Sequence, residues 1–244
     1  MAPQMLALRV VAIDHAHKQA GEAIPHEVHG GTVISDVLAG ARCRRGKPPD
    51  CKVAADGDVI WAMLHVIKGD TLKDVRDRAL LSLGMVSYMR RSEIAALDVS
   101  DFHRAPEELR VTIRRSKSDQ DGASAVLAIP VNRRLKPVQH FDAWLERARV
   151  ADGLLFRRLS QCGRRVLLEC MFDRLVAEIV KAVELNPAVF AGHSLRAGFL
   201  TSAARTRASI WKMQEQSRHK SLNVLSGYVR LARLFEDHAG EDFA

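Results

Sequence analysis

One stretch breaks the helical character of this chain. In "LRVTIRRSKSDQDGASAVLAIP", residues 109–130, Leu109, Val111 and Ile113 alternate with polar residues, a polar turn follows, and "SAVLAIP" returns as a second apolar run. A period of two is strand patterning, and the Ser/Asp/Gly-rich segment between the runs marks a hairpin. The remainder reads mostly as helix. The expected fold is therefore mainly α, with a small antiparallel sheet of two or three strands set inside a helical domain.

Residues 3–20 carry Leu6, Val10, Ile13 and Ala16–His17 at helical spacing, and Gly21 and Pro25 end that helix. A second helix starts near Thr32, a plausible N-cap, and runs into Arg42, Arg44, Arg45 and Lys47. "KPPDCKVAADGD" reads as a linker, because Pro48–Pro49 exclude a helix. The basic run before it is either a solvated linker or a strap facing phosphates. From residue 56 the chain changes character. "DGDVIWAMLHVIKG" and "TLKDVRDRALLSLGMVSYM" are helical, with Asp58 and Thr71 as candidate caps. After the hairpin, helices are expected over 134–150, 164–184, 194–206, 208–216, 221–229 and 230–238.

The chain has 244 residues and a formal charge of +8, with a sequence pI of about 9.6. Such an excess of cations favours a polyanionic partner, of which nucleic acid is the usual one. Hydrophobic residues make up 47 %, enough for a real core. Cys43, Cys51, Cys162 and Cys170 form no C-x-x-C pair, so structural zinc is not expected. The N-terminus turns charged too early for a signal peptide, and no uncharged run approaches membrane-spanning length. A reducing, cytoplasmic setting is expected. Neither G-x-G-x-x-G nor G-x-x-x-x-G-K-[ST] occurs, and no cofactor is expected.

Four segments carry groups able to do chemistry. In "SYMRRSEIAALDVSD", an apolar helix delivers Arg90 and Arg91 and then Glu93. One arginine should turn inward, either as a structural pair with Glu93 or as a guanidinium oriented towards a phosphate. In "AGHSLRAGF", His193 and Arg196 lie three apart at a helix start, one face of the first turn. In "SRHKSLNVLSGYVR", His219 and Tyr228 are separated by a short helix that Ser221 can cap. Tyr228 is either a packed aromatic or a nucleophile. Lys117, in the hairpin turn, is either a solvated loop lysine or a proton donor. Taken in order, Arg90, Lys117, His193, Arg196, His219 and Tyr228 form a set with one joint use. Two Arg and two His neutralise phosphoryl oxygens, Lys protonates a leaving alkoxide, and Tyr attacks. No metal is needed.

At these residues the chain resembles the tyrosine recombinase, or phage-integrase, family. "MRRSEIAAL" resembles the first arginine box, "GHSLRAG" the H-x-x-R box, "HKSLNVLSGY" the last box, and Lys117 the hairpin lysine. "YVRLARLFEDHAG" looks Cre-like. The resemblance covers about residues 56–244, read as the catalytic domain. Residues 1–55 resemble part of the family's helical, SAM-like core-binding region plus a linker, shorter than usual.

The resemblance implies that Tyr228 attacks a scissile phosphodiester to give a 3′-phosphotyrosyl bond. Lys117 would protonate the 5′-hydroxyl, Arg90 and Arg196 would clamp the non-bridging oxygens, and His193 and His219 would assist. It implies double-stranded DNA as partner and a homo-tetramer on two paired sites, with residues 231–244 packing on a neighbour. Arg42, Arg44, Arg45, Lys47, Arg91, Arg218 and Lys220 are expected to touch DNA. Arg218 stands where the family most often has Gly. The alternative is a remnant or regulator of this fold that binds DNA without cutting it.

Overall fold

Residues 79–87 are apolar on almost every side, and the helix they complete is buried on almost every side. Helix α4 (Leu72–Ser87) opens with a capping box: Thr71 Oγ1 accepts from Asp74 N at 3.3 Å, and Thr71 N donates to Asp74 Oδ2 at 3.1 Å. From Val75 onward every α4 residue except Arg78 is buried. The computed structural model describes residues 2–28, 31–46, 52–105, 108–114, 124–131, 133–158, 165–166, 169–219 and 221–232.

The chain divides into two compact units, Met1–Cys51 and Lys52–Ala244. The first contains helices α1 (Pro3–Ala20) and α2 (Gly31–Arg45). Pro at the first turn and left-handed Gly21 after the last turn bound α1. Leu8, Val11, Val33 and Val37 remain exposed, so this hairpin buries little apolar surface of its own.

The second unit holds α3 (Gly57–Val66), α4, the short α5 (Arg91–Ala95), strands β1 (Phe102–Ala105), β2 (Glu108–Ile113) and β3 (Ala125–Pro130), and α6 (Pro137–Ala148). Then come a ribbon of β4 (Arg157–Arg158) and β5 (Arg165–Val166), and helices α7 (Glu169–Ala182), α8 (Gly192–Arg205), α9 (Ile210–Ser217) and α10 (Leu222–Ala232). The architecture is mainly α with a small antiparallel sheet. Strand order is β1-β2-β3, with Phe102 opposite Val111, Leu109 opposite Ile129 and Val111 opposite Leu127. The alternation of Leu109, Val111 and Ile113 sends all three into the core.

Three expectations change. Helix α3 is capped by Asp56, which accepts from Val59 N at 3.2 Å. Asp58 lies inside the first turn and pairs with Arg134. The helix expected over 164–184 starts only at Glu169, because Arg165–Val166 pairs with β4. No break falls at residue 230, since α10 runs through to Ala232.

Two apolar clusters organise this unit. The larger joins α3, α4, α6, α7 and the sheet around Ile60, Leu80, Leu109, Ile129, Trp144 and Phe156. The smaller lies under α8, α9 and α10 and contains Tyr88, Leu200, Ala204, Met213 and Leu225. Residues 52–57, read from sequence as linker, are strapped along the start of α8. Val53 N donates to Val189 O, Ala55 N to Ser194 O, and Gly57 N to Ser202 Oγ. A Cβ on Gly198 would fall 1.8 Å from the Ala55 carbonyl oxygen, so that approach requires glycine.

Candidate active site

The end of α4 builds the first wall. Tyr88 takes a left-handed conformation (φ 57°), which stops the helix and turns the chain so that Met89 and Arg90 leave in a new direction. Arg90 precedes the first turn of α5, and Glu93 reaches back to it. Arg90 N donates to Glu93 Oε2 at 2.7 Å and Arg90 Nη1 to Oε1 at 2.7 Å. Burial of Glu93 opposes its ionisation most strongly. Hydrogen bonds from Arg218 and from the Arg90 N–H overcome that burial and hold the carboxyl down at about 2. Glu93 is a carboxylate at every physiological pH.

The start of α8 builds the facing wall. Gly192 N donates to Asp173 Oδ1 at 2.7 Å, and Asp173 also pairs with Arg91. A Cβ on Gly192 would sit 2.5 Å from Arg91 Cδ and from Phe172 Cδ1, so glycine lets the two walls meet. One turn on, Arg196 is buried. Its guanidinium lies 3.7 Å from the centroid of the Tyr88 ring and donates to Tyr88 O and, at 3.0 Å, to Ser217 O. Burial lowers its pKa to about 10, with the nearby Arg90 charge adding to the effect and the Tyr88 phenol opposing it. Arg196 stays charged at neutral pH. Met89, Arg90, Arg91, Ser92, Gly192, His193 and Arg196 line one cavity of about 390 Å³. Its polar lining is dominated by three guanidiniums, which suits a phosphate.

The corner between α9 and α10 closes the site. His219 Nδ1 pairs with the Ser217 hydroxyl at 2.8 Å, and Nε2 meets the Tyr88 hydroxyl at 3.5 Å. Burial, then the charges of Arg196 and Arg90, push His219 down to about 4. His193 is lowered too, by partial burial and by Arg196 and Arg91. Both imidazoles are therefore neutral at pH 7. Tyr228, on α10, is half-buried and packs on the cluster that contains Tyr88. It lies close enough to Tyr88 to disfavour ionisation of that buried phenol.

Of the expected catalytic residues, Arg90, His193 and Arg196 share the cavity, while from the α9–α10 side His219 meets the Tyr88 hydroxyl and Tyr228 packs on the cluster that contains Tyr88. Lys117 lies outside the described residues, as do Lys47, Lys220 and the chain beyond residue 232. Arg42, Arg44 and Arg45 are exposed on the last turn of α2. Arg91 lines the cavity. Arg218, expected to face DNA, instead turns its guanidinium onto buried Glu93, with Nη2 2.6 Å from Oε2. Tyr88, Asp173 and Ser217 were not singled out by the sequence. Tyr88 had one signal, its place directly before the arginine box. Asp173 had none, because its partners lie 19 and 82 residues away.

Among the described residues, no helix is long and apolar enough to cross a membrane. No group of His, Cys, Asp and Glu among them is arranged to hold a metal ion.

Comparison with known proteins agrees with this fold. The profile of the phage integrase family matches residues 55–234. The integrase/recombinase XerD homolog of Selenomonas ruminantium is 30% identical over 239 residues, covering 95% of this chain and 69% of that protein. The tyrosine recombinase XerC of Shewanella oneidensis is 25% identical over 238 residues, with the same two coverages. Among solved structures, the XerH site-specific recombinase bound to palindromic difH substrate, in a post-cleavage complex, aligns with a TM-score of 0.64 at 19% identity. That alignment covers 80% of this chain and 54% of the XerH chain, so this chain spans about half of that recombinase. The Tn1549 transposon integrase in complex with transposon right end DNA aligns at 0.57 and 20% identity, covering 84% of this chain and 67% of that one.

Proposed function

This chain belongs to the phage integrase family, and we propose that it is a site-specific recombinase that breaks and rejoins double-stranded DNA through a tyrosyl ester. One observation carries the reading. Arginines from two boxes 106 residues apart line one cavity of about 390 Å³, and the helix bearing Tyr228 packs on the apolar cluster that contains Tyr88, the residue beneath Arg196.

In this reading the Tyr228 oxygen attacks phosphorus, passing its proton to solvent as the P–O bond forms. The bond to the 5′ oxygen breaks, and Lys117 supplies the proton that makes the 5′-hydroxyl. Arg90 and Arg196 stabilise the charge that builds on the non-bridging oxygens, in a site already oriented before substrate arrives. Neutral His193 and His219 act as hydrogen-bonding groups and carry no fixed charge at pH 7. Attack by a partner strand's 5′-hydroxyl on the ester reverses the step and reseals the DNA. The ester keeps the bond energy, so the cycle consumes no nucleotide. The protein works as a homo-tetramer on two paired sites, with residues 231–244 on a neighbour, and acts in the cytoplasm where its substrate lies. The exposed arginines at the end of α2 contact backbone phosphates, which position without specifying sequence.

The test is a nicked suicide duplex built on the site that the protein selects from a random-sequence DNA library. Wild type is expected to form a covalent protein–DNA adduct, and Tyr228→Phe none. An adduct with Tyr228→Phe assigns the nucleophile elsewhere. No adduct with wild type removes the recombinase reading.

A further inference from the structure

Arg218 occupies a position whose geometry needs explanation. It ends α9 with φ 55° and ψ 36°, the left-handed region that β-carbon-bearing residues avoid. A residue with a β-carbon adopts it at a small cost that surrounding contacts must offset. The contacts are present. Nη1 donates to Glu93 Oε1 at 3.3 Å and Nη2 to Oε2 at 2.6 Å, a forked pair between residues 125 apart. Among the described residues Arg218 Nε is buried without a hydrogen-bond partner, so the side chain is drawn inward although that donor finds no acceptor there.

Glu93 also receives Arg90 N and Arg90 Nη1. Each of its oxygens thus accepts one bond from Arg90 and one from Arg218, which fills the acceptor capacity of a carboxylate. The pairing has an electrostatic consequence. Asp173 offsets Arg91, and Glu93 by itself would offset Arg90. Arg218 is the additional cation that leaves the Arg90–Glu93–Arg218 group with one net positive charge. The pairing also has a geometric consequence. Arg218 directly precedes His219, so its fork fixes the start of the segment leading to α10 against the arginine box.

We propose that Arg218 is a positioning residue of the reaction site. It shares Glu93 with Arg90, anchors the α9–α10 corner to the start of α5, and leaves net positive charge beside the phosphate cavity. The proposal rests on the recombinase reading above. It differs from a direct DNA contact, in which the guanidinium would face solvent and a phosphate.

The experiment measures single-turnover adduct formation on the selected nicked duplex, together with the affinity for that duplex across a salt series. Arg218→Gly is expected to slow adduct formation tenfold or more, with affinity within twofold of wild type and an unchanged salt slope. A direct phosphate contact would instead lower the slope by about one, and that result overturns the proposal. Adding Glu93→Gln to Arg218→Gly removes the carboxylate charge and is expected to recover part of the rate. A double variant slower than Arg218→Gly alone overturns the charge-sharing argument. Arg218→Lys keeps the cation and guards against loss of folding in the glycine variant. It is expected to stay within a few-fold of wild type, and a loss equal to that of Arg218→Gly counts against the proposal. If wild type forms an adduct and all three variants match it, the positioning role alone fails. If wild type forms none, the recombinase reading fails and this inference with it.

Discussion

Arg90 and Arg196 line the same cavity but are held by opposite kinds of partner. Arg90 sits on a buried carboxylate, Glu93, and its side chain is 26% exposed. Arg196 is buried and rests on neutral acceptors, the Tyr88 and Ser217 carbonyls, with an aromatic face beneath it. A carboxylate orients a guanidinium strongly and cancels much of its field. Carbonyls and a ring orient it while leaving its charge almost whole, at the cost of burying that charge. The site therefore joins one arginine whose field is shared with one whose field is not, and Arg196 should carry more of the electrostatic stabilisation.

The alanine variants test this most severely. Arg196→Ala and Arg90→Ala should each reduce adduct formation by about a hundredfold to a thousandfold or more, as removal of one oriented donor to a developing oxyanion does, with the larger loss at Arg196. Lysine variants sharpen the contrast. A lysine at 90 still offers one point contact to Glu93, whereas a lysine at 196 cannot satisfy two carbonyls in a planar fork over a ring. Arg90→Lys should thus keep more activity than Arg196→Lys in single-turnover assays. Equal losses would mean that the two environments make no difference to catalysis. Arg91→Ala, whose charge is already matched by Asp173, should leave the cleavage rate within a few-fold and act mainly on DNA affinity.

Much of this was legible in the sequence, and the rest was hidden for a physical reason. Helix α4 and strand β2 follow from local periodicity, and Thr71 from local capping chemistry. The boxes around Arg90, Arg196 and Tyr228 were readable as an ordered set. Partners that meet only through the fold were not readable. Arg218, which stands where the family most often has Gly, was expected to touch DNA, and its guanidinium finds a carboxylate far upstream. Asp58 lost the capping role to Asp56 by one half-turn, a choice that propensity alone does not resolve. Tyr88 gave no sign of its left-handed backbone, because its contacts with Arg196, Phe199 and His219 come through the fold.

A smaller effect probes how the two arginine walls meet. Gly192→Ala places a methyl group against Arg91 and Phe172 at distances that no packing tolerates unmoved. Overpacking of this kind costs about 1–3 kcal/mol. Thermal denaturation should show a lowered midpoint, and affinity for the selected duplex should fall with it, since the shift lands on Arg91. A variant as stable and as tightly bound to that duplex as wild type would show that the α8 start can move away without disturbing either wall.

The smallest expected effect is on acid stability and concerns the neutral-partner side of the comparison. His219 has an ordinary pKa of 6.5 and is held at about 4 in the folded protein, first by burial and then by Arg196 and Arg90. As pH falls below 6.5 the unfolded chain takes up a proton that the folded chain refuses. Stability present above pH 6.5 is therefore lost progressively until the pH passes about 4. Glu93, held at about 2 against an ordinary 4.5, loses its contribution only in the lower window between those values. The two sides of the site thus yield to acid in separate ranges. Urea midpoints at pH 7.5 and pH 5 should fall closer together in His219→Gln than in wild type. The narrowing should be partial, because His140, also lowered to about 4 by burial and by Arg78 and Lys136, titrates in the same range. An identical pH dependence in the two proteins would mean that His219 is as readily protonated in the fold as in water, and that Arg196 does not exert its charge across the site.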